Sequence, residues 1–323
     1  MRSVPNLAYG KVILVGEHAV VYGIPAIALG IERGVRAWLS PSTFSCSELV
    51  IKEWGVHVCN HEQEESDIGR AFRSLLKAGG NAERWGKVSG VDTVRVEVES
   101  DLSPGVGLGC SAALGVAIAR ALDPKATAEA VIERAMQWEK VFHGSPSGID
   151  TTIAAHGGCI FFKKGKGMVR IKSRLKFLLC VAYSGSASST RVMVEQVAQL
   201  LENHRPHVEA LFNRIRRIVS LTRKALESEE YQKVGDLMDD NQACLDSLSL
   251  STPALGQLCQ LAKRAGAWGA KLTGAGGGGC VIALVGGEEV AERVIQSWKE
   301  HGYSGFIVRN GIRDQLFPRQ ATG

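Results

Sequence analysis

Pro104-Gly-Val-Gly-Leu-Gly-Cys-Ser-Ala-Ala-Leu114 sets three glycines at alternate positions directly before a run of small apolar residues. Glycine accepts backbone conformations that other residues refuse, which permits close approach to a ligand. The first turn of a helix presents unpaired N–H groups and a partial positive charge, so this stretch suits an anion such as a nucleotide phosphate chain. A tight structural turn uses the same glycines, and the loop alone leaves both readings open. The segment before it, Thr93-Val-Arg-Val-Glu-Val-Glu99, alternates strictly between apolar and polar and reads as an amphipathic strand. Strand, glycine loop and an apolar helix through Leu122 thus form one unit.

Around this unit the chain is ordinary in bulk. Its 323 residues suit two domains sharing a cleft, and 45% hydrophobic with 22% charged residues is a soluble composition. A net charge of +5, from 38 basic and 33 acidic residues, is too small and scattered for nucleic-acid binding, though it slightly favours an anionic substrate. The N-terminal apolar run is broken by Lys11, Glu17 and His18, so it reads as neither signal peptide nor membrane span, and a cytoplasmic protein is expected. The eight cysteines are spread singly, with no CxxC pair and no Cys/His cluster at metal spacing. Buried free thiols are expected rather than a zinc site.

Outward from the loop, residues 7–16 and 24–30 read as buried strands around the polar turn Gly16-Glu17-His18. Residues 36–59 suit exposed antiparallel strands, and apolar spacing predicts a helix over 63–78. A second helix runs from about Thr127 to Phe142, and His143-Gly-Ser-Pro-Ser-Gly148 stops it. A basic, turn-rich stretch at 165–176 precedes a buried strand at 177–183, and the domain boundary is placed there, giving domains 1–176 and 177–323. Helices are expected near 189–203, 205–227, 230–247 and 253–265. The second glycine cluster, Thr273 to Gly279, lies between two strand-like segments, and helix, strand and tail close the chain.

Three segments in this order resemble the GHMP small-molecule kinases, and in detail the mevalonate kinases among them. They are Lys11-Val-Ile-Leu-Val-Gly-Glu-His-Ala-Val-Val-Tyr-Gly23, the 104–114 loop, and Lys271-Leu-Thr-Gly-Ala-Gly-Gly-Gly-Gly279; His143-Gly-Ser-Pro-Ser-Gly-Ile-Asp150 adds a fourth match. The resemblance spans about residues 8 to 310. It implies an α+β fold of two domains, a ribosomal-protein-S5-like N-terminal domain and a ferredoxin-like C-terminal domain with added helices. It also implies ATP and Mg²⁺ as cofactors, mevalonate as small-molecule substrate and possible homodimers, with no nucleic acid or membrane partner. GxxxxGK[ST] is absent, so a nucleotide pose unlike that of P-loop enzymes is expected.

The same resemblance assigns roles to residues that are ambiguous by themselves. Asp150 reads locally as a helix N-cap, and by the resemblance as the base beside the acceptor hydroxyl. Lys11, locally a strand-end lysine, becomes its electrostatic partner. Glu139, otherwise an exposed helix carboxylate, joins Ser111 as a Mg²⁺ ligand, an oxygen set suited to a hard cation. Glu17, His18 and Thr190 fall on the substrate side. Pro104, Gly105, Gly107, Leu108, Gly109, Cys110, Ser111 and Ala112 form the phosphate loop, and Gly276 and Gly277 close over it. Two departures stand out: Cys110 replaces the first serine of the usual GLGSSAA, and Ser188 stands where many relatives carry arginine.

Overall fold

The computed structural model describes residues 6–61, 63–78, 93–144, 146–173 and 177–309. The strand before the glycine loop is β5 (Val94–Ser100), and its alternation is structural: Val94, Val96 and Val98 are buried while Arg95 and Glu97 between them are not. It belongs to a seven-stranded sheet with β1 (Asn6–Val15), β2 (Ala26–Pro41), β3 (Glu48–Ile51), β4 (Val56–Cys59), β6 (Cys159–Lys163) and β7 (Gly167–Arg170). The order is β4-β3-β5-β2-β6-β7. β1 covers the other side of β2, since residues 27–29 and 35–37 of β2 pair with β1 as well as with β6 and β5.

Four helices accompany this sheet: α1 (Asp67–Ala78), α2 (Cys110–Leu122), α3 (Ala128–His143) and α4 (Ile149–His156). Eleven of the thirteen residues of α2 are buried, which its small side chains allow, because β1, β2, α3 and α4 all pack on it. Gly115 leaves room for Trp138 of α3, whose ring atoms would lie 3.0 Å from a Cβ there. Thr127 caps α3 by accepting the Ala130 N–H at 3.3 Å.

A second sheet, antiparallel throughout, has the order β11-β8-β10-β9, from β8 (Leu178–Tyr183), β9 (Gly269–Thr273), β10 (Cys280–Val285) and β11 (Ser304–Arg309). Helices α5 (Thr190–Asn203), α6 (Arg205–Glu227), α7 (Tyr231–Ser247), α8 (Pro253–Arg264) and α9 (Glu288–Glu300) belong to this half. The architecture is the α+β pair expected from the sequence. Two local expectations fail. β3 is fully buried and runs parallel to β5, so residues 36–59 are not simply exposed antiparallel strands. Residues 167–170 form β7, paired with β6 in a hairpin, where a turn-rich stretch was expected. The expected C-terminal tail lies outside the described residues.

The two halves meet along β1. Thr273 Oγ1 of β9 accepts the Ile13 N–H at 2.8 Å and itself reaches the Ile13 carbonyl at 3.3 Å. Asn241 Oδ1 of α7 accepts the Gly16 N–H at 3.2 Å. The strand carrying Lys11 is therefore fixed from both sides.

Candidate active site

Lys11 lies on β1, 4% exposed, and its backbone N–H donates to the Leu108 carbonyl at 2.9 Å, tying strand to glycine loop. Asp150 is the second residue of α4, whose N-cap is Gly148 with φ +88°, so Asp150 is not the cap. It sits instead in the first turn, beside the helix N-terminus. Because α4 packs on β1, Lys11 Nζ comes within 3.2 Å of Asp150 Oδ1. That oxygen is buried and has no aligned hydrogen-bond partner among the described residues. The pair is ionic through this oxygen, and the rest of the carboxylate, on a side chain 37% exposed, borders the open cleft.

Glu139 projects from α3 and is 2% exposed. Ser111 Oγ donates to its Oε1, and His143 Nε2, one turn on, stands 3.7 Å from its Oε2. Burial pushes the Glu139 carboxyl up to about 8; the Ser111 hydrogen bond opposes this, and the nearby Asp150 charge adds to it. A buried carboxyl beside a second carboxylate, with one hydroxyl, a desolvated imidazole and a Lys11 charge already paired with Asp150, is short of positive charge. The donors are oxygens, as a hard divalent cation requires, so Ser111 and Glu139 fit Mg²⁺.

Gly105, Gly107 and Gly109 have φ of +75°, +85° and +75°, left-handed values that explain the alternation of glycine. At Gly109 a side chain is excluded twice over, because a Cβ would lie 2.6 Å from Lys11 Cγ. The first hydrogen bond of α2 runs from Ala113 N–H to the Gly109 carbonyl at 3.0 Å. The N–H groups of Cys110, Ser111 and Ala112 therefore have no intrahelical acceptor and face the space ahead of the helix. The second glycine loop closes on the first: a Cβ at Gly274 would lie 3.2 Å from Gly107 O, and one at Gly279 3.1 Å from Val106 O. Between them is a cleft of about 330 Å³ bordered by Lys11, Ser111, Glu139 and Asp150.

Residues 68–158 match the family described as GHMP kinases N terminal domain, and residues 222–304 match GHMP kinases C terminal. The mevalonate kinase of Pyrococcus horikoshii is 36% identical to this chain, over 87% of the chain and 88% of the relative. That of Methanothermobacter thermautotrophicus is 33% identical, over 90% and 94%. The crystal structure of L. major mevalonate kinase in complex with R-mevalonate superposes with a TM-score of 0.77 at 28% identity, covering 97% of this chain and 98% of that one. The chain belongs to the mevalonate kinase family of GHMP kinases.

In this kinase the remaining sequence candidates take distinct places. Gly105, Gly107, Gly109, Cys110, Ala112 and Gly276 border the cleft, as do Thr190, the first residue of α5, and Ser188. Pro104 and Leu108 are not among its lining residues; Leu108 is buried and holds Lys11 through its carbonyl. Gly277 also lies off the cleft, with Met193 Sδ 2.5 Å from where a Cβ would be. Cys110 turns its thiol inward, donating to the Leu102 carbonyl at 3.6 Å, and burial pushes that thiol up to about 12. The serine-to-cysteine departure thus changes an internal contact, while the backbone N–H remains at the helix start.

Glu17 and His18 border the cleft as well, but both are engaged with the second half. Glu17 is 1% exposed, and its carboxylate pairs with Lys271 Nζ and accepts from Asn241 Nδ2 at 3.1 Å. His18 Nε2 donates to the Ala275 carbonyl at 2.8 Å, and burial lowers the basicity of its ring. Its backbone is strained: φ is +57° and ψ −51°, and Ala19 N–H bonds back to the Glu17 carbonyl at 2.6 Å, the geometry of a classical γ-turn. Sequence reasoning gave Lys271 no role of its own. Its signal was present, since it is the only charged residue in the otherwise buried strand Gly269-Ala-Lys-Leu-Thr273. An adjoining cavity of about 430 Å³, bordered by Lys164, Arg191, Thr190 and Asp150, was also not foreseen.

Proposed function

We propose that this kinase transfers the γ-phosphoryl group of ATP directly to the C5 hydroxyl of (R)-mevalonate, giving 5-phosphomevalonate. The Lys11–Asp150 pair carries the reading, since it stands at the cleft within reach of the α2 N-terminus. Asp150, with Oδ1 turned to Lys11 and its side chain 37% exposed at the cleft, accepts the proton of the acceptor hydroxyl on its other carboxylate oxygen. Lys11 pairs with Asp150 and offers Nζ to the negative charge that gathers on the transferring group. The outward N–H groups of Cys110, Ser111 and Ala112 bind phosphate oxygens, with Gly276 and its neighbours covering them. Ser111 and Glu139 would hold Mg²⁺, which when bound neutralises charge on the phosphate oxygens. Thr190 positions the acceptor.

Ser188 supplies no cation for a substrate carboxylate, and we assign that role to Arg191 and Lys164 of the adjoining cavity. Glu17 acts through its clamp on Lys271, keeping the His18 turn at the substrate side. The domain boundary at 176/177, a cytoplasmic location and homodimers complete the reading. The names of the curated relatives and the ligand of the L. major enzyme support mevalonate over other acceptors.

The test is ADP release with ATP and, in turn, mevalonate, phosphomevalonate, galactose and homoserine. Mevalonate is expected to be the acceptor. Asp150→Asn is expected to lower kcat by about 10³-fold or more while ATP binding stays near normal. Near-normal turnover in that variant removes Asp150 as the base; turnover with another acceptor and none with mevalonate removes the substrate.

A further inference from the structure

The outer edge of the first sheet holds a second group of ligating side chains, away from the cleft. β4 is the edge strand, separated from β2 by β3 and β5. Cys59 ends β4 and lies opposite Glu48 of β3 in the antiparallel pair. The pairing continues one step further, because Asn60 N–H donates to the Ser47 carbonyl and Ser47 N–H to Asn60 Oδ1, both at 3.0 Å. The next step brings Cys46 opposite His61. Side chains along a strand repeat every two residues, so Cys59 and His61 share a face and Cys46 stands on that face across the pair. The ligand atoms of Cys46, Cys59 and His61 accordingly lie within 4.8 Å of one another. A linear spacing of twelve intervening residues and then one conceals this in a sequence whose cysteines stand singly.

The set is both anchored and open. The His61 carbonyl accepts from Arg73 and from the Glu64 N–H at 3.1 Å, which fixes the backbone beyond β4. Cys46 is buried, Cys59 intermediate and His61 exposed, so one side faces solvent. Glu48, opposite Cys59 in the pair, is committed to Ser42 at 2.8 Å, His57 at 2.7 Å and Arg95 at 3.0 Å, and leaves the two thiols and the imidazole as the donors.

We propose that Cys46, Cys59 and His61 bind a thiophilic d¹⁰ cation of the Zn²⁺ type, with water as the fourth ligand on the exposed side. Tetrahedral zinc with bonds of about 2.0 to 2.3 Å places its ligand atoms about 3.5 to 3.8 Å apart, so a contraction of about 1 Å closes the set. Two S–H bonds break as two metal–thiolate bonds form, and both protons leave to solvent. Because binding releases these protons, uptake strengthens as pH rises. The bound cation staples the edge of the β3–β4 hairpin and takes no part in the chemistry of the cleft.

The experiment uses the full chain, reduced and stripped with chelator, titrated with Co²⁺ and then with Zn²⁺. One equivalent of Co²⁺ is expected to give a tetrahedral visible spectrum with a thiolate charge-transfer band, and Zn²⁺ to bleach both. Cys46→Ser and Cys59→Ser are each expected to weaken binding by about ten-fold or more and to diminish the charge-transfer band. His61→Ala, at an exposed position that folding tolerates, is expected to weaken binding without changing the metal-free circular dichroism. The proposal is overturned by a reduced protein that gives no tetrahedral spectrum or by a spectrum unchanged in all three variants. A Cys46–Cys59 disulfide formed in air, with no metal uptake after reduction, overturns it equally. None of these readouts depends on kinase activity.

Discussion

Replacing Lys271 by methionine keeps the length and the apolar stem of the side chain and deletes its charge. Glu17 is then left buried with Asn241 as its remaining side-chain donor. It avoids a buried unpaired charge by taking up a proton. Raising a carboxyl from its ordinary 4.5 to beyond pH 7 costs about 3.4 kcal/mol at 1.36 kcal/mol per pH unit, which sets the ceiling at pH 7. In Glu17→Leu, Lys271 must instead lose a proton; between pH 7 and its ordinary 10.5 that ceiling is about 4.8 kcal/mol. The double variant leaves no buried charge and is expected to lie near the parent. The pH dependence separates this account from simple loss of packing. In Lys271→Met the folded state holds a proton that the unfolded state releases above 4.5, so stability falls as pH rises and recovers as pH drops. Burial already raises Glu17 in the parent, so the deficit stays below its ceiling, which falls to about 1.4 kcal/mol at pH 5.5. Guanidinium unfolding followed by tryptophan fluorescence at pH 7 and pH 5.5 measures both. A loss under about 1 kcal/mol at pH 7, or a loss independent of pH, refutes the reasoning.

Gly109→Ala forces a Cβ to within 2.6 Å of Lys11 Cγ in a left-handed backbone. It is expected to destabilise the chain by about 1–2 kcal/mol and, by moving Lys11 from Asp150, to lower kcat by about 10²-fold; steady-state kinetics and thermal unfolding check the two effects. Because burial lifts the Glu139 carboxyl to about 8, Mg²⁺ binding there must displace a proton below that pH. Apparent Mg²⁺ affinity should rise about ten-fold per pH unit between pH 6 and 8 and flatten above, and calorimetry in buffers of different ionisation enthalpy should show proton release. Glu139→Gln is expected to remove that pH dependence.

Much of the first domain was legible because its signals are local. β5 alternates since only one of its faces is buried, and the glycines at 105, 107 and 109 are dictated by left-handed backbone angles. The parallel neighbour of β5 was not legible: β3 is short, and its burial depends on strands that join it from distant sequence. At the site, Lys11, Ser111, Glu139 and Asp150 each had an ordinary alternative. The packing of α4 on β1 and of α2 on α3 makes them neighbours, and that packing is not written in any one segment. Lys271 was passed over as part of a glycine motif, although a lysine amid buried strand residues requires a buried counter-charge. Cys46, Cys59 and His61 were missed because register across a strand pair, rather than spacing along the chain, brings them together.

β1 carries Lys11 in its middle, and its far end is held by Thr273, Asn241 and, through Glu17, Lys271. Loss of the second sheet would strip the far end of β1 of these partners and leave Glu17 without its buried counter-charge. The two halves are expected to unfold as one cooperative unit. Ligand held in the cleft is felt as protection of backbone amides in β9, on the opposite side of that seam.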